Sequence, residues 1–201
     1  MGEMIGETLK LSPHRQNIVC YGLNVLLSNL LGIAVTLVIA YVLGIFSPTA
    51  AVVLTLLFLR TSAGGAHCSS SLNCSIFGYV FIPLLGYWAF WLSSVGAPII
   101  HAIYLISCGL LALVGIALKA PYFTQSKPRA EARRKILKRR AFMFALIAAL
   151  TSALFMANMK LQWSMGIATG LLFQAIMLLP FGIKGIQYLD NLLDRLLCKR
   201  R

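Results

Sequence analysis

The sequence predicts an all-α integral membrane protein, a single polytopic domain over residues 1–201 with about six transmembrane helices. Three observations support this prediction. Of the 201 residues, 59% are hydrophobic and only 11% are charged, a balance outside that of soluble domains. The apolar residues form runs close to the ~20 residues that one helical crossing needs. The 18 Lys and Arg, against five Asp and Glu, collect between alternate runs, as the positive-inside rule describes.

Six apolar runs fit helical crossings. The predicted spans are Leu26–Phe46, Thr49–Ser62, Ile76–Val95, Ile99–Leu118, Ala141–Ala157 and Leu161–Pro180. The second run is the weakest, because it reaches crossing length only if the helix continues through Arg60 to Ala63. We therefore expect the second span to be short or interrupted.

Span six carries Gly166 and Gly170 on one face. Such small residues let two helices approach closely, and in a six-span chain the neighbour is more often another span of the same chain than a second copy. A homodimer is the alternative.

The basic residues predict the orientation. When the spans are threaded alternately, Lys10, Arg15, Arg60 and the basic segments 119–140 and 183–201 share one side. Positive charge marks the cytoplasmic side, so both termini and the loops after spans two and four are expected there.

Two cytoplasmic segments are expected to be amphipathic. The run 129–140, RAEARRKILKRR, carries seven basic residues and one acid, which fits an anchor on anionic lipid headgroups or a docking surface for an acidic partner. The docking candidates are Arg133, Arg134, Lys135, Lys138, Arg139 and Arg140.

The tail 183–201 aligns apolar side chains on one stripe, as in a helix lying at the membrane surface. They are Ile186, Leu189, Leu192, Leu193 and Leu196.

The centre of the chain lacks acids, since none lies between Glu7 and Glu131. A carboxylate pair or a carboxylate-rich metal cage needs two or more acids close together. Chemistry in this region must therefore use His, Cys, Ser or Arg, and the segment 60–75, RTSAGGAHCSSSLNCS, holds all four. We expect it to form a polar site loop, in which Gly64 and Gly65 break the helix and permit close backbone approach.

Within this loop, Cys74 is the best nucleophile candidate. Asn73 is a good N-cap for span three, which places Cys74 in the first helical turn, where the helix dipole stabilises a thiolate. His67 could accept the thiol proton, whereas Cys68 lacks the helix end. No acid is expected nearby to complete a triad. Alternatively, Cys74 is an ordinary small apolar residue of a helix.

The other polar residues of the loop have two readings each. Ser69, Ser70, Ser71 or Asn73 could orient His67 or donate to an oxyanion. Arg60 either snorkels to the headgroups or binds the substrate. A zinc site of His67, Cys68 and Cys74 has only three ligands and unusual spacing. No metal, other cofactor or nucleic-acid partner is expected.

The order Arg60, Gly64-Gly65, His67 and Cys74 resembles the active-site signature of the accessory gene regulator B (AgrB) family, membrane cysteine endopeptidases of bacterial peptide quorum sensing. Six spans, cytoplasmic termini and a basic loop after span four are also similar to that family. The resemblance implies a multi-pass protein of the bacterial cell membrane with Cys74 as nucleophile and His67 as general base. It implies supporting roles for Arg60 and Gly65.

The same resemblance implies a substrate and a product. The substrate is a short signalling propeptide with an amphipathic leader and an acidic C-terminal tail, cut through a thioester to the enzyme and then closed to a lactone or thiolactone autoinducer. Two other classes stay open: a small transporter of an anionic solute or peptide that binds at Arg60, and a scaffold without catalysis.

Overall fold

A computed structural model describes residues 13–65, 71–122 and 131–198. These ranges hold seven helices and no extended strand. The helices are α1 (Pro13–Val42), α2 (Phe46–Ala63), α3 (Ser71–Ser94), α4 (Pro98–Lys119), α5 (Glu131–Ala157), α6 (Leu161–Leu178) and α7 (Pro180–Cys198).

Helices α1 to α6 are each long and apolar enough to cross a membrane, which confirms the six predicted spans. Helix α2 has 18 residues and runs without a break through Arg60 to Ala63, so the second span is short but not interrupted. Helices α1 and α5 begin earlier than predicted, at Pro13 and Glu131. Arg, Lys and Glu are good helix formers, and the basic segment before span five therefore continues its helix.

The bundle is built around α6, the most buried of the six spans, which packs against α2, α3, α4, α5 and α7. Small residues permit this central position. A Cβ atom at Gly166 would lie 2.5 Å from the Pro48 carbonyl oxygen, and one at Gly170 would lie 2.8 Å from the Thr55 Cβ, both in α2. The glycine face of span six therefore packs within the chain, as predicted.

Large apolar side chains cover the outside of the bundle, with Val38, Leu110 and Leu150 among those more than half exposed. A surface of this kind suits a hydrocarbon solvent. Buried hydroxyls pair inside instead: the Ser152 hydroxyl donates to the Ser164 carbonyl (2.8 Å), and the Ser164 hydroxyl to the Ser152 carbonyl (2.9 Å).

Helix α7 is amphipathic, as its sequence predicts. Ile186 is buried in a cluster with Val52, Phe173 and Met177, while Leu196 is exposed. One side of the helix thus packs on α2 and α6, and its position at a membrane surface stays a prediction.

Candidate active site at the start of helix α3

Helices α2, α4 and α6 end, and α3, α5 and α7 begin, at one end of the bundle, which we call the site end. Consequently residues far apart in sequence contact both described ends of the segment 60–75, at Gly64 and at Asn73.

The glycine pair terminates α2 at the site end. Gly64 has a φ of +71° and Gly65 a φ of +149°, a left-handed backbone that glycine adopts without strain. The Gly64 N–H donates to the Arg60 carbonyl at 3.2 Å. The predicted helix break is confirmed, and the chain turns where glycine allows it.

Two other parts of the chain hold this glycine turn. The Tyr122 N–H, just after α4, donates to the Ala63 carbonyl at 3.0 Å, and the Gln174 side chain of α6 donates from Nε2 to the Gly64 carbonyl at 3.0 Å. A Cβ at Gly64 would collide with the Tyr122 carbonyl. Backbone carbonyls at the end of α2, which lack partners within the helix, are thus satisfied by distant residues, and the turn is fixed from two sides.

Arg60 lies over the glycine turn. Its side chain is half-buried, its Nε atom is buried, and that atom lies 4.0 Å from the position of a Cβ at Gly65. Of the two readings, this placement favours a guanidinium at the site over one that extends away to the headgroups.

Cys74 is the fourth residue of α3 and lies in its first turn, as predicted. Its thiol is free and partly exposed. The reason for the placement differs, because Asn73 is not the N-cap: α3 begins two residues earlier, at Ser71. Ser71 is therefore a residue of the helix rather than of the loop.

The Asn73 side chain points into the protein instead, and it is only 1% exposed. Its Nδ2 donates to the Asp190 Oδ1 at 2.8 Å and to the Asp194 Oδ1 at 2.7 Å. The sequence did not predict these two carboxylates of α7, which contact the residue that precedes Cys74. The expectation that no acid completes a triad with His67 stays a prediction. The chain is acid-free at its centre in sequence, but not around this helix end in space.

His67 and Cys68 lie outside the described residues, and so does the rest of the site loop at 66–70. The structure therefore brings Arg60, the glycine turn, Asn73 and Cys74 to one end of the bundle, and it leaves the predicted contact of His67 with Cys74 untested.

The basic segment forms the first turns of α5 at the same end. Arg133, Arg134, Lys135, Arg139 and Arg140 are exposed. Lys138 is exposed too, but its Nζ donates to the Ala117 carbonyl at 2.6 Å, where it satisfies a carbonyl at the end of α4. Five of the six predicted docking side chains thus face outward with their charge available, and Lys138 has a structural contact as well.

Gln174, Asp190 and Asp194 did not emerge as site residues from the sequence. Gln174 is fully buried, and its Oε1 lacks a hydrogen-bond partner. The available signals were an uncharged polar residue inside span six, which in a membrane helix is itself a hint of function, and two acids one turn apart in a basic tail.

Together, the fold and the site end define a polytopic membrane protein that holds a free cysteine thiol in the first turn of a helix, at the end of the bundle where a glycine turn and an arginine also lie. The sequence profile of the family described as Accessory gene regulator B matches residues 1–178. The chain therefore belongs to the accessory gene regulator B family, which functions in the accessory gene regulator system of quorum sensing.

Individual relatives agree with the family assignment. The Accessory gene regulator protein B of Staphylococcus aureus strain JH9 is 28% identical over 165 residues, which cover 79% of this chain and 80% of that protein. The protein of the same name from strain Newman is 30% identical over 162 residues, 79% of each chain. No solved structure matches this chain.

Proposed function

We propose that this protein is a membrane cysteine endopeptidase that removes the C-terminal part of a short signalling propeptide and helps to close the remaining fragment into a lactone or thiolactone. Cys74 is the nucleophile and His67 the general base. The observation that carries the proposal is the free, partly exposed Cys74 thiol in the first turn of α3, at the end of the bundle where Arg60 and the glycine turn also lie.

In the first step, His67 takes the proton of the Cys74 thiol, and the sulfur attacks the carbonyl carbon of the scissile peptide bond. The carbon–nitrogen bond then breaks, His67 returns the proton to the leaving amine, and the N-terminal fragment stays on Cys74 as a thioester. A cysteine needs only a base for this step, because a thiol ionises more readily than a serine hydroxyl. We assign to Arg60, whose Nε lies near Gly65, the role of binding the peptide or the oxyanion that forms.

In the second step, a Cys or Ser side chain of the bound peptide attacks the thioester. The new bond closes the ring, and the Cys74 sulfur leaves and recovers its proton. Exchange between thiols releases little free energy, so ring closure depends on holding the peptide nucleophile close and on keeping water away from the acyl-enzyme. A site at the end of a buried helix bundle suits both needs.

The basic side chains at the start of α5 supply the docking surface for the acidic tail of the propeptide. They lie at the site end, and their charges act over about 10 Å at moderate ionic strength. With both termini on the cytoplasmic side of the cell membrane, this surface faces the compartment in which the propeptide is made. Anionic headgroups would compete for the same charges.

The test is co-expression with a short propeptide that has an amphipathic leader, an internal Cys or Ser and an acidic C-terminal tail, followed by mass spectrometry of peptide and protein. We expect cleavage, a cyclic product and an acyl-enzyme that hydroxylamine releases. Cys74→Ala and His67→Ala should each lower cleavage at least about a thousandfold. The matched control, Cys20→Ala in α1, should process normally.

Cleavage by Cys74→Ala would overturn the proposal. A flux of peptide or anion that depends on Arg60 but not on Cys74 would identify a transporter instead, since a carrier needs no nucleophile.

A further inference from the structure

The contact of Asn73 with α7 uses one side-chain nitrogen for two carboxylates. The Asn73 Nδ2 carries two hydrogens and donates to Asp190 at 2.8 Å and to Asp194 at 2.7 Å. The two acids are four residues apart and therefore share one face of α7. We call these three residues the Asn73 clamp.

Packing alone does not require this clamp. Helix α7 already contacts the bundle through Ile186, in a cluster with Leu56 and Met177, against which Ile183 also packs. Asp190 is only 7% exposed, and burial of a carboxylate costs several kcal/mol unless hydrogen bonds compensate for it. An apolar residue there would hold α7 at least as well. Buried polar contacts of this kind are best explained by geometry, because hydrogen bonds fix direction and register where apolar contacts do not.

The Asn73 clamp fixes the orientation of the first turn of α3. Asn73 directly precedes Cys74, and a helix is rigid, so fixing the Asn73 side chain sets the rotation of α3 about its axis and with it the direction of the Cys74 Sγ. The two carboxylates also lie near the N-terminus of α3, where negative charge stabilises the helix.

We propose that Asp190 and Asp194 are positioning residues for the Cys74 nucleophile and act through Asn73. This inference rests on the proposed function. Helix α7 then contributes positioning residues to the active site. Asp190 is the more important of the two because it is the more buried. A nucleophile misplaced by about 1 Å costs on the order of a hundredfold in rate, so the effect falls on kcat rather than on KM.

The experiment compares Asp190→Leu with Asp190→Asn in the full-length protein. Leucine removes the acceptor, whereas asparagine keeps a side-chain oxygen for the Asn73 amide. We expect Asp190→Leu to lower kcat by about ten- to a hundredfold with little change in KM, and Asp190→Asn to stay within about threefold of wild type. Gln187→Leu, on the exposed side of α7, is the matched control and should keep full activity.

Folding is controlled by the triple variant Asn73→Leu, Asp190→Leu and Asp194→Leu. Replacing a buried polar group together with its partners by apolar residues is often neutral for stability, and Asp194 is exposed, so this variant should insert and keep its thermal midpoint while its kcat stays low. A triple variant with normal kcat would overturn the inference. So would an Asp190→Asn variant as slow as Asp190→Leu, because the charge and not the hydrogen bond would then be needed.

A second readout does not depend on activity. In a background where the other four cysteines are replaced by Ala, iodoacetamide labels Cys74 alone, and Asp190→Leu should change the labelling rate severalfold while Gln187→Leu leaves it unchanged. An unchanged rate in Asp190→Leu contradicts the clamp even if Cys74 proves to have no part in cleavage. Cleavage by Cys74→Ala, with a changed labelling rate, would instead remove the proposed function and keep the positioning.

Discussion

At the scale of single residues, the Gly64 carbonyl shows how a distant side chain completes the end of a helix. A helix leaves its last carbonyls without hydrogen-bond partners inside the helix. Gln174 supplies the missing donor from a position 110 residues away in sequence. Because the side chain is fully buried with an unsatisfied Oε1, its presence in span six is costly, and holding the glycine turn is the benefit that the structure reveals.

Gln174→Leu tests this contact. The variant removes the donor of the part-buried Gly64 carbonyl, which we expect to cost about 1 kcal/mol of stability and to displace the turn that leads into the site loop. Propeptide cleavage should fall about tenfold or more, and the thermal midpoint in detergent should fall as well. Gln162→Leu provides the control, since Gln162 is exposed at the opposite end of the same helix. Equal cleavage by the two variants would show that the Gln174 contact is dispensable.

At the scale of helices, α5 joins a basic segment and a membrane span in one rigid element. Its first turns carry exposed basic side chains, and its later turns form the fifth span. The Lys138 contact with Ala117 fixes the start of α5 to the end of α4. The basic side chains that we propose for docking are therefore held at a fixed place at the site end rather than on a free loop.

Arg133→Gln combined with Arg134→Gln tests the docking surface. Removing two charges from the surface should raise KM severalfold at low salt, because the attraction for an acidic tail weakens. The dependence on salt should become shallower than in the wild type, since fewer charges remain to be screened. The control removes two exposed charges from α7, at Lys184 and Arg195. If both pairs change KM equally, net charge matters and the α5 surface has no special role.

The start of α3 shows where sequence reasoning about an element fails. Asn73 is a favourable N-cap residue, and the pattern of polar and apolar residues places the helix start near it. The observed start is Ser71, so Asn73 lies inside the first turn, where its Nδ2 donates to Asp190 and Asp194. Cys74 still lies in the first turn. The error in the predicted start of α3 therefore does not change the chemical prediction for Cys74.

At the scale of the whole molecule, the six spans were predictable, and the site was predictable only in part. Hydropathy and charge are properties of contiguous sequence, and a bilayer requires every span to satisfy them. The segment 60–75 could be recognised as well, because its polar residues are contiguous in sequence. Asp190 and Gln174 could not, because their partners Asn73 and Gly64 lie 117 and 110 residues away, and nothing in local sequence encodes such a contact.

The position of α6 at the centre of the bundle connects the two ends of the molecule. Its Gly166 lies against Pro48 near the start of α2, and its Gln174 holds the Gly64 turn at the end of α2. Both contacts join α2 and α6. A shift of these helices at the Gly166 contact should therefore also move the Gly64 turn at the site end.

Gly166→Ala tests this coupling. Alanine normally stabilises a helix interior by about 1 kcal/mol relative to glycine, but here its Cβ would lie 2.5 Å from the Pro48 oxygen and 2.7 Å from the Ala51 Cβ. Overpacking of this kind costs about 1–3 kcal/mol, so we expect a lower thermal midpoint together with slower cleavage. Gly22→Ala in α1 meets no atom within 4 Å and should leave the midpoint equal or higher and cleavage unchanged. A Gly166→Ala variant that loses stability but cleaves at the wild-type rate would show that α2 and α6 separate at one end without disturbing the glycine turn at the other.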